Sequence, residues 1–342
     1  MVSELPQAAP DASPSAPPVI EVAGLVKRYG NFVAVDGIDL SVAEGEIFGI
    51  LGPNGAGKTT TLEMIEGLRQ PDAGEIRVAG FDAISQSEQV RRVIGVQLQT
   101  TALFDYLTAA ELIELFAGLY NVDGSPERVN ALLDMVGLRE KRSARVDELS
   151  GGQRQRLSIA LALVNQPRVA FLDEPTTGLD PAARRDLWQT IRDVRASGTT
   201  VVLTTHYMEE AEVLCDRVAI MDRGRIIACD TPQGLIRSLG TAATIQASFV
   251  GGSLPADALR ALPGVTDSTS RDSQLELRTR DVQQSLVALL DLASRAGVTL
   301  ADLRSAQPSL EDVFLALTGR QYENEETAEA EQPAPAKRLR RR

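Results

Sequence analysis

The residues whose types and spacing are best suited to chemistry run from Gly52 to Thr59. Their sequence, GPNGAGKT, follows the pattern G-x-x-x-x-G-K-[ST]. In such a loop the glycines let several backbone N–H groups converge on phosphate oxygens at the positive end of a helix dipole. A lysine at the position of Lys58 neutralises β- and γ-phosphate oxygens, and the hydroxyl of Thr59 can ligate Mg²⁺. The spacing therefore predicts a site for a nucleoside triphosphate.

The segments on either side of this loop have the character that the pattern requires. The apolar run from Ile47 to Leu51 predicts a buried strand, and residues 60–68 predict a helix. A chance turn between a strand and a helix is the plain alternative. The order of strand, glycine-rich loop and helix favours the phosphate-binding loop over that alternative.

Two adjacent carboxylates, Asp173 and Glu174, end a predicted strand that begins at Val169. Acids at the carboxyl end of a buried strand lie at the crevice where α/β sheets bind ligands. Asp173 is suited to coordinating Mg²⁺, and Glu174 is suited to polarising an attacking water. A helix cap or a solvated turn is the alternative for an isolated Asp-Glu pair, and it weakens when a phosphate-binding loop is present.

A second candidate anion site begins at Ser150. The sequence LSGGQ at 149–153 precedes an apolar helix that is predicted to reach Val164. A Ser-Gly-Gly opening places backbone N–H groups and a hydroxyl at a helix N-terminus, where anions bind. The sequence therefore predicts two anion sites in one chain.

Between these two sites, residues 100–145 predict a helical insertion into an α/β core. Thr108 and Glu111 have capping-box spacing ahead of an apolar helix that continues to Tyr120. A second helix is predicted to open at Ser125 and to end near 137.

Because these motifs occur complete and in order, residues 19–240 resemble the nucleotide-binding subunit of an ATP-binding cassette (ABC) transporter. The loop that ends at Thr59 resembles the family's Walker A motif, and residues 149–153 are its signature sequence. Asp173 and Glu174 stand at the positions of the Walker B aspartate and the catalytic glutamate. The resemblance implies an α/β fold, the P-loop NTPase ABC cassette, whose α/β core has an antiparallel β subdomain and a helical subdomain.

Four further residues acquire a role through this resemblance. Gln99 falls at the family's Q-loop, as a metal ligand and a relay to the membrane partner, and Asp180 lies in a Gly-Leu-Asp sequence that resembles the D-loop. His206, the only histidine, follows a predicted strand at 200–204 and stands at the position of the switch histidine. Tyr29, in a predicted loop, matches the adenine-stacking aromatic, and an ordinary half-buried tyrosine is its alternative.

The resemblance implies three groups of site residues. The implied nucleotide contacts are Tyr29, Gly52, Pro53, Asn54, Gly55, Ala56, Gly57, Lys58, Thr59, Thr60, Gln99, Ser150, Gly151, Gly152, Gln153 and Asp180. The implied metal ligands are Thr59, Gln99 and Asp173. The implied catalytic residues are Glu174, His206 and Lys58. ATP and Mg²⁺ are the expected cofactors, since the N-K-x-D sequence with which small GTPases read guanine is absent.

The family's mechanism also accounts for two anion sites in one chain. It implies two subunits packed head to tail, with Lys58 of one opposite Ser150 and Gly152 of the other and ATP between them. The phosphates then drive closure, and hydrolysis reverses it. The expected assembly is therefore a dimer with two equivalent sites.

Composition and charge limit the other partners. The chain of 342 residues has 43% hydrophobic residues, enough for packed cores, and its net charge of −12 disfavours free nucleic acid. No apolar run approaches the roughly 18 residues of a membrane span, so a separate permease is expected to supply the spans.

The expected location is peripheral, on the cytoplasmic face of the membrane, with permease contacts within 99–120. A soluble ABC ATPase acting on ribosomes or DNA is the alternative, although such proteins usually carry two cassettes or a long coiled coil.

Four segments are predicted along the chain: a proline-rich arm at 1–18, the cassette at 19–240, a small α+β domain at 241–319 and a charged disordered tail at 320–342. Within the α+β domain the pattern predicts strands at 273–280 and 298–305 and helices at 281–296 and 309–318.

Residues 308–319 resemble the end of the daunorubicin-resistance type of ABC ATPase, whose members power drug or lipid export. The basic run 337–342 either belongs to a tail of self-cancelling charge or contacts anionic lipid.

Overall fold

The computed structural model describes residues 18–97, 103–239, 243–250, 254–271 and 274–319. The chain divides into two compact units between Ala228 and Cys229. Residues 1–17 of the predicted arm and the predicted tail, 320–342, lie outside the described residues. Among the helices that are described, none is long and apolar enough to cross a membrane.

The first unit contains two sheets and the helices that connect their strands. Its strands are β1 (Ile20–Tyr29), β2 (Phe32–Val42), β3 (Ile47–Leu51), β4 (Ala73–Val78), β5 (Phe81–Asp82), β6 (Ile94–Gln97), β7 (Val169–Asp173), β8 (Thr200–Thr205), β9 (Arg217–Asp222) and β10 (Arg225–Asp230). Its helices are α1 (Lys58–Ile65), α2 (Ser87–Val93), α3 (Ala109–Tyr120), α4 (Pro126–Met135), α5 (Gly151–Ala162), α6 (Pro181–Ala196) and α7 (Met208–Leu214).

The larger sheet brings the carboxyl ends of three buried strands to one edge. Its strand order is β10-β9-β3-β8-β7-β6, with parallel pairing from β9 through β6. Strands β3, β7 and β8 are buried along their whole length, as is typical of parallel strands covered on both faces. Leu51 pairs with Thr205 and Asp173 with Thr204, so the three strands end level. The crevice beyond such ends is where α/β sheets bind ligands.

The smaller sheet, β2-β1-β4-β5, is antiparallel and corresponds to the antiparallel β subdomain that the resemblance implies. Val22, Leu25 and Ile38 from this sheet belong to the same buried cluster as Phe48 of β3 and Met64 of α1. Complete burial of a side chain of this kind contributes about 2 kcal/mol. The antiparallel sheet and the strand that precedes the phosphate-binding loop therefore share one core.

Helices α3 and α4 form the predicted insertion between β6 and β7. The hydroxyl of Thr108 accepts a hydrogen bond from the N–H of Glu111, and the Glu111 carboxylate accepts one from the N–H of Thr108. Helix α4 follows Ser125, whose hydroxyl caps it, with Pro126 in the first turn. A cap of this kind is worth about 1 kcal/mol, and both helices begin where their capping sequences predict.

Helix α5 leads from this insertion back to the large sheet and packs directly on β6. At Gly95 of β6, an added Cβ would lie 1.7 Å from the carbonyl oxygen of Ala162 on α5. Only a glycine leaves room for that approach. The helix that begins after Ser150 is therefore fixed to the strand at its far end.

The second unit is a four-stranded antiparallel sheet with helices, which confirms the predicted α+β class. Its strand order is β12-β13-β11-β14. Its elements are α8 (Pro232–Ser238), β11 (Ala243–Val250), α9 (Ala256–Arg260), β12 (Val265–Arg271), β13 (Gln274–Thr279), α10 (Val282–Arg295), β14 (Thr299–Ala306) and α11 (Leu310–Thr318). Its own core includes Ile245, Leu277 and Leu289. Sequence patterns predicted β13, α10, β14 and α11 but not β11, α9 or β12.

We expect Gly95→Ala to lower the free energy of unfolding by at least about 2 kcal/mol, because the new methyl group collides with the Ala162 carbonyl. Gly118→Ala is the matched control. Gly118 lies in α3, a Cβ there meets nothing within 4 Å, and alanine favours a helix by about 1 kcal/mol. Chemical denaturation measures both variants, and equal stabilities would contradict the close packing of α5 on β6.

Candidate functional site

The predicted phosphate-binding loop joins the end of β3 to the first turn of α1. Gly57 precedes this helix with a φ of 105°, a conformation that L side chains rarely adopt. A Cβ at Gly57 would lie 2.4 Å from the carbonyl oxygen of Ala34, and one at Gly52 would lie 2.3 Å from that of Met221. Both glycines therefore let the loop fit between β2 and β9. Thr60 follows within α1.

Lys58 is buried, and oxygen atoms surround its ammonium group. Nζ donates to the carbonyl oxygens of Gly52 at 2.9 Å and Pro53 at 3.3 Å. It also lies 3.2 Å from Oε1 of Glu174, and the two side chains are 4% and 8% exposed. An ammonium ion removed from water needs such partners. The same charge can attract a phosphate group when one is bound.

Asp173 ends β7 beside the loop. The hydroxyl of Thr59 donates to its two carboxylate oxygens at 3.1 and 3.3 Å, and the hydroxyl of Thr204 donates to Oδ1. Burial raises the pKa of Asp173, while these hydroxyl groups act in the opposite direction. Carboxylate and hydroxyl oxygens are ligands that Mg²⁺ accepts, usually together with water and phosphate oxygens. In the part of the chain that is described, no group of three or more His, Cys, Asp or Glu could hold a metal.

Glu174 takes a backbone conformation that side-chain-bearing residues seldom adopt. Its φ is 47°, and its N–H donates to the hydroxyl of Thr204 at 3.0 Å. Such conformations cost about 1–3 kcal/mol and cluster at functional sites. The turn leaves the carboxylate between Lys58 on one side and His206 on the other.

The Glu174 carboxylate is held in its ionised form. Nδ1 of His206, which directly follows β8, lies 3.3 Å from Oε2, and the hydroxyl of Thr177 donates to Oε2 at 3.2 Å. Burial raises the pKa of Glu174, but the adjacent His206 imidazole and the charge of Lys58 outweigh it and lower the pKa to about 2. An ionised carboxylate is what polarising a water molecule requires.

The predicted second anion site lies at the start of α5. The hydroxyl of Ser150 accepts the N–H of Gln153 at 3.3 Å, and Oε1 of Gln153 accepts the N–H of Ser150 at 3.0 Å. Gly152 faces α6, since a Cβ there would lie 3.1 Å from the Cβ of Ala183. Helix α6 begins at Asp180, whose carboxylate accepts two backbone N–H groups of the first turn. Ser150 and Asp180 thus cap neighbouring helix N-termini.

Tyr29 is the last residue of β1 rather than a loop residue, so the prediction of a loop was wrong for this position. Its side chain is exposed, with Nζ of Lys27 5.9 Å and the guanidinium carbon of Arg69 5.6 Å from the ring centre. An exposed aromatic ring can stack on a purine base.

Gln99 lies outside the described residues, whereas Gln97 is buried in β6.

Two threonines that sequence reasoning missed hold the acidic side chains in place. Thr204 contacts both Asp173 and the backbone of Glu174, and Thr177 contacts the Glu174 carboxylate. A signal for Thr204 was present, because a hydroxyl in an otherwise apolar buried strand needs a hydrogen-bond partner. Thr177 follows Glu174 in a turn of common composition, and its sequence gave no such signal.

A buried parallel sheet, a glycine loop between β3 and α1, and an Asp-Glu pair at the end of β7 define a P-loop nucleoside triphosphatase. Comparison with known families narrows this class. The family described as "ABC transporter" matches residues 35–177, and the one described as "ATP-binding protein DrrA1-3-like, C-terminal domain" matches residues 240–318. The chain belongs to the ATP-binding subunits of the ABC transporter family, and it is an ATPase.

Relatives of similar length support this assignment. The daunorubicin/doxorubicin resistance ATP-binding protein of Streptomyces peucetius is 42% identical, with 91% of this chain and 96% of that protein covered. The daunorubicin resistance ATP-binding protein DrrA2 of Streptomyces coeruleorubidus is 39% identical, with 91% and 98% covered. The Nod factor export ATP-binding protein I of Rhizobium sp. (strain N33) is 40% identical, with 89% and 98% covered.

Solved structures confirm the predicted cassette fold. An ATP-binding cassette of an ABC transporter in its ADP conformation is 26% identical with a TM-score of 0.58, covering 64% of this chain and 93% of that one. A dimeric cassette in a post-hydrolysis state, bound to ADP and Pi, is 28% identical with a TM-score of 0.56, covering 62% and 98%. The likeness therefore extends over nearly the whole of each solved cassette.

Glu66, directly after α1, should make stability depend on pH. Its side chain is buried, and burial, followed by the charges of Asp173 and Glu63, raises the pKa of Glu66 from 4.5 to about 8. The contribution of Glu66 to the free energy of unfolding is largest below pH 4.5 and is lost as the pH rises to about 8. Over this range the free energy of unfolding falls by at most about 1.4 kcal/mol per pH unit. Glu66→Gln should flatten this slope and be more stable than the unmodified chain at pH 8.

Denaturation midpoints between pH 5 and pH 8 test this expectation, with Glu140→Gln at an exposed position as the control. A slope that is the same in Glu66→Gln and in the unmodified chain would contradict it.

Proposed function

We propose that this chain powers export of a drug or lipid-like substrate through a separate membrane permease, by hydrolysing ATP as a head-to-tail dimer. The observation that carries the proposal is the convergence of Lys58, Asp173, Glu174 and His206 at one edge of the parallel sheet. Relatives named for daunorubicin resistance and Nod factor export support export as the task. None of these names refers to ribosomes or DNA, so they do not favour that alternative.

In this proposal, Lys58 exchanges one partner for another when ATP binds. Without nucleotide its charge is balanced by Glu174 and by two loop carbonyls. The β- and γ-phosphates carry more negative charge than one carboxylate and sit in the loop directly beside the lysine. Lys58 therefore turns to the phosphates and leaves the Glu174 carboxylate to contact water. The charge of Lys58 therefore couples ATP binding to the release of the Glu174 carboxylate, which can then act as a base.

Hydrolysis then needs one proton acceptor and one group that orients it. The attacking water forms a bond to the γ-phosphorus as the bond to the ADP oxygen breaks, and its proton passes to the Glu174 carboxylate. His206, 3.3 Å from that carboxylate, keeps it directed at the water. Thr59 and Asp173 would hold Mg²⁺, which supplies positive charge to the phosphate oxygens. Gln99 as a further ligand stays a prediction.

The other half of each site belongs to a second copy of the chain. The Ser150 hydroxyl and the N–H groups of Gly151 and Gly152 lie at the start of α5, at the positive end of its dipole. We infer that they contact the γ-phosphate held by Lys58 of the other copy. The solved cassette that is dimeric with ADP and Pi supports such an assembly. Asp180, next to the signature turn through α6, would lie near the same contact.

The helical insertion supplies a surface for the permease. Five of its large apolar side chains are between 39% and 81% exposed: Phe104, Tyr106, Leu115, Leu119 and Tyr120. Exposed apolar residues gathered in one segment are typical of interaction surfaces. They fall within 99–120, where we expect the permease contacts. A permease bound there would hold the protein on the cytoplasmic face of the membrane as a peripheral subunit.

We also propose that the basic run 337–342 contacts anionic lipid. Each basic residue close to a negatively charged membrane surface contributes about 1 kcal/mol of attraction. The run contains five lysine and arginine residues, and it lies outside the described residues. It would reinforce attachment to the permease rather than replace it.

Glu174→Gln should reduce ATP turnover by at least about a hundredfold and leave a stable ATP-bound dimer, because the amide accepts no proton while the phosphate contacts stay intact. Steady-state phosphate release and size-exclusion chromatography with ATP and Mg²⁺ measure the two effects. Glu209→Gln, at an exposed position on α7, is the control and should behave like the unmodified chain. Unchanged turnover in Glu174→Gln would remove Glu174 from the catalytic role.

Leu119→Glu should lower the amount of permease that co-purifies with the tagged chain after gentle detergent extraction. A charge at this position, 72% exposed in the helical insertion, opposes burial in an apolar contact. Val287→Glu, 63% exposed on α10, is the control. A polytopic membrane protein should be recovered at equal ratio with the unmodified chain and the control. Recovery of ribosomes, DNA or no partner would reject the transport proposal.

A further inference from the structure

Glu210, on α7, is a fully buried carboxylate that the proposed mechanism does not use. It lies four residues after His206 and is 0% exposed. The indole N–H of Trp188, itself buried on α6, donates to Oε1 of Glu210 at 2.9 Å. An acid is costly to bury and would be replaced readily by an apolar side chain if packing were its only task. The position of Glu210 relative to the site therefore indicates a role.

The neighbours of Glu210 come from the segments that carry the catalytic side chains. Thr205, at the end of β8, and Thr176, in the turn after Glu174, belong to the electrostatic surroundings of its carboxylate, and Arg184 of α6 adds a positive charge. Burial raises the pKa of Glu210, and these groups and Trp188 act in the opposite direction. The Glu210 side chain thus lies in surroundings shared with the ends of the segments that carry Glu174 and His206.

Thr205 fixes the backbone around His206. The hydroxyl of Thr205 accepts the N–H of Tyr207 at 2.9 Å, and its carbonyl accepts the N–H of Gly52 at 3.2 Å. The residue that precedes His206 is therefore bonded both to Tyr207 and to the phosphate-binding loop. His206 lies between two anchored neighbours.

Helix α6 holds the same segment from a second direction. The guanidinium carbon of Arg184 lies 4.2 Å from the ring centre of Tyr207, within the range of a cation–π contact. The Tyr207 ring is in turn 4.2 Å from the ring of His206. Because Arg184 and Trp188 are four residues apart, they lie on one face of the helix. That face contacts the segment 205–210.

We propose that Glu210, together with Trp188, is a positioning residue for ATP hydrolysis, which keeps His206 at the Glu174 carboxylate and ties the His206 segment to α6. This inference rests on the roles proposed above for Glu174 and His206.

The test compares kcat and KM for ATP in the full chain carrying Glu210→Ala, Glu210→Gln or Leu187→Ala. Glu210→Ala leaves the Trp188 N–H without its acceptor and should lower kcat about tenfold with KM changed less than about twofold. Glutamine keeps an acceptor oxygen at the same place, so Glu210→Gln should restore kcat to within about threefold of the unmodified value. Leu187→Ala removes a fully buried side chain from the same helix and should lower the melting temperature without lowering kcat.

A double-mutant cycle separates positioning from general support of the fold. If Glu210 acts through His206, the chain with both Glu210→Ala and His206→Ala should be no slower than the chain with His206→Ala alone. Rate losses that multiply in the double variant would overturn the inference. So would an unchanged kcat in Glu210→Ala, or a fall in kcat in Leu187→Ala as large as that in Glu210→Ala.

Glu174→Gln, measured in the same series, distinguishes failure of this inference from failure of the proposed function. Unchanged turnover in Glu174→Gln rejects the proposed catalytic roles and the inference with them. Loss of turnover there, combined with full activity in Glu210→Ala, rejects the positioning role alone. If Glu210→Ala does not fold, Trp188→Phe takes its place, because it removes the N–H donor and keeps an aromatic ring. It should lower kcat at least about threefold at unchanged KM, and an unchanged kcat would overturn the inference.

Discussion

The buried ion pair between Lys58 and Glu174 is the interaction on which the rest of the site depends. The charged atoms are 3.2 Å apart, and both side chains are almost fully removed from water. Loss of one partner of such a pair leaves an unsolvated charge, at a cost of about 3–5 kcal/mol. The pair forms because β3 and β7 end level in the sheet and because a turn with positive φ directs Glu174 back across that edge. In the proposed mechanism, ATP phosphates compete with Glu174 for the lysine, and the charge of Lys58 links nucleotide binding to catalysis.

A single chain supplies only part of the proposed site. Lys58, Asp173, Glu174 and His206 meet at one edge of the sheet, whereas the Ser150 turn opens a helix whose far end is fixed to β6 at Gly95. The Ser150 turn is thus attached through α5 to the same sheet as the phosphate-binding loop. In the proposed dimer, closure would bring the Ser150 turn of one copy to the phosphate-binding loop of the other.

Features set by residues close in sequence could be predicted, because their cause is local. The phosphate-binding loop needs glycines at fixed spacing, and the helices after Thr108 and Ser125 follow from capping residues within one turn. Contacts between distant segments could not be predicted in the same way. Thr204 and Glu174 are 30 residues apart, and Trp188 and Glu210 are 22 apart, so only the folded sheet brings them together. Strand β12 was missed for a related reason, since its polar sequence VTDSTSR becomes a strand by pairing with β13. The roles assigned to the site residues stay predictions.

The claim that one ATP site combines Lys58 of one chain with Ser150 of another is tested most directly by complementation. A chain with Lys58→Ala and a chain with Ser150→Arg should each be inactive alone, since every site in either homodimer lacks one half. A mixed dimer contains one intact site, so an equal mixture should regain roughly a quarter of the ATPase activity of the unmodified chain. Activity no higher than the sum of the two separate chains would contradict the account, because it would mean that each site is built within a single chain.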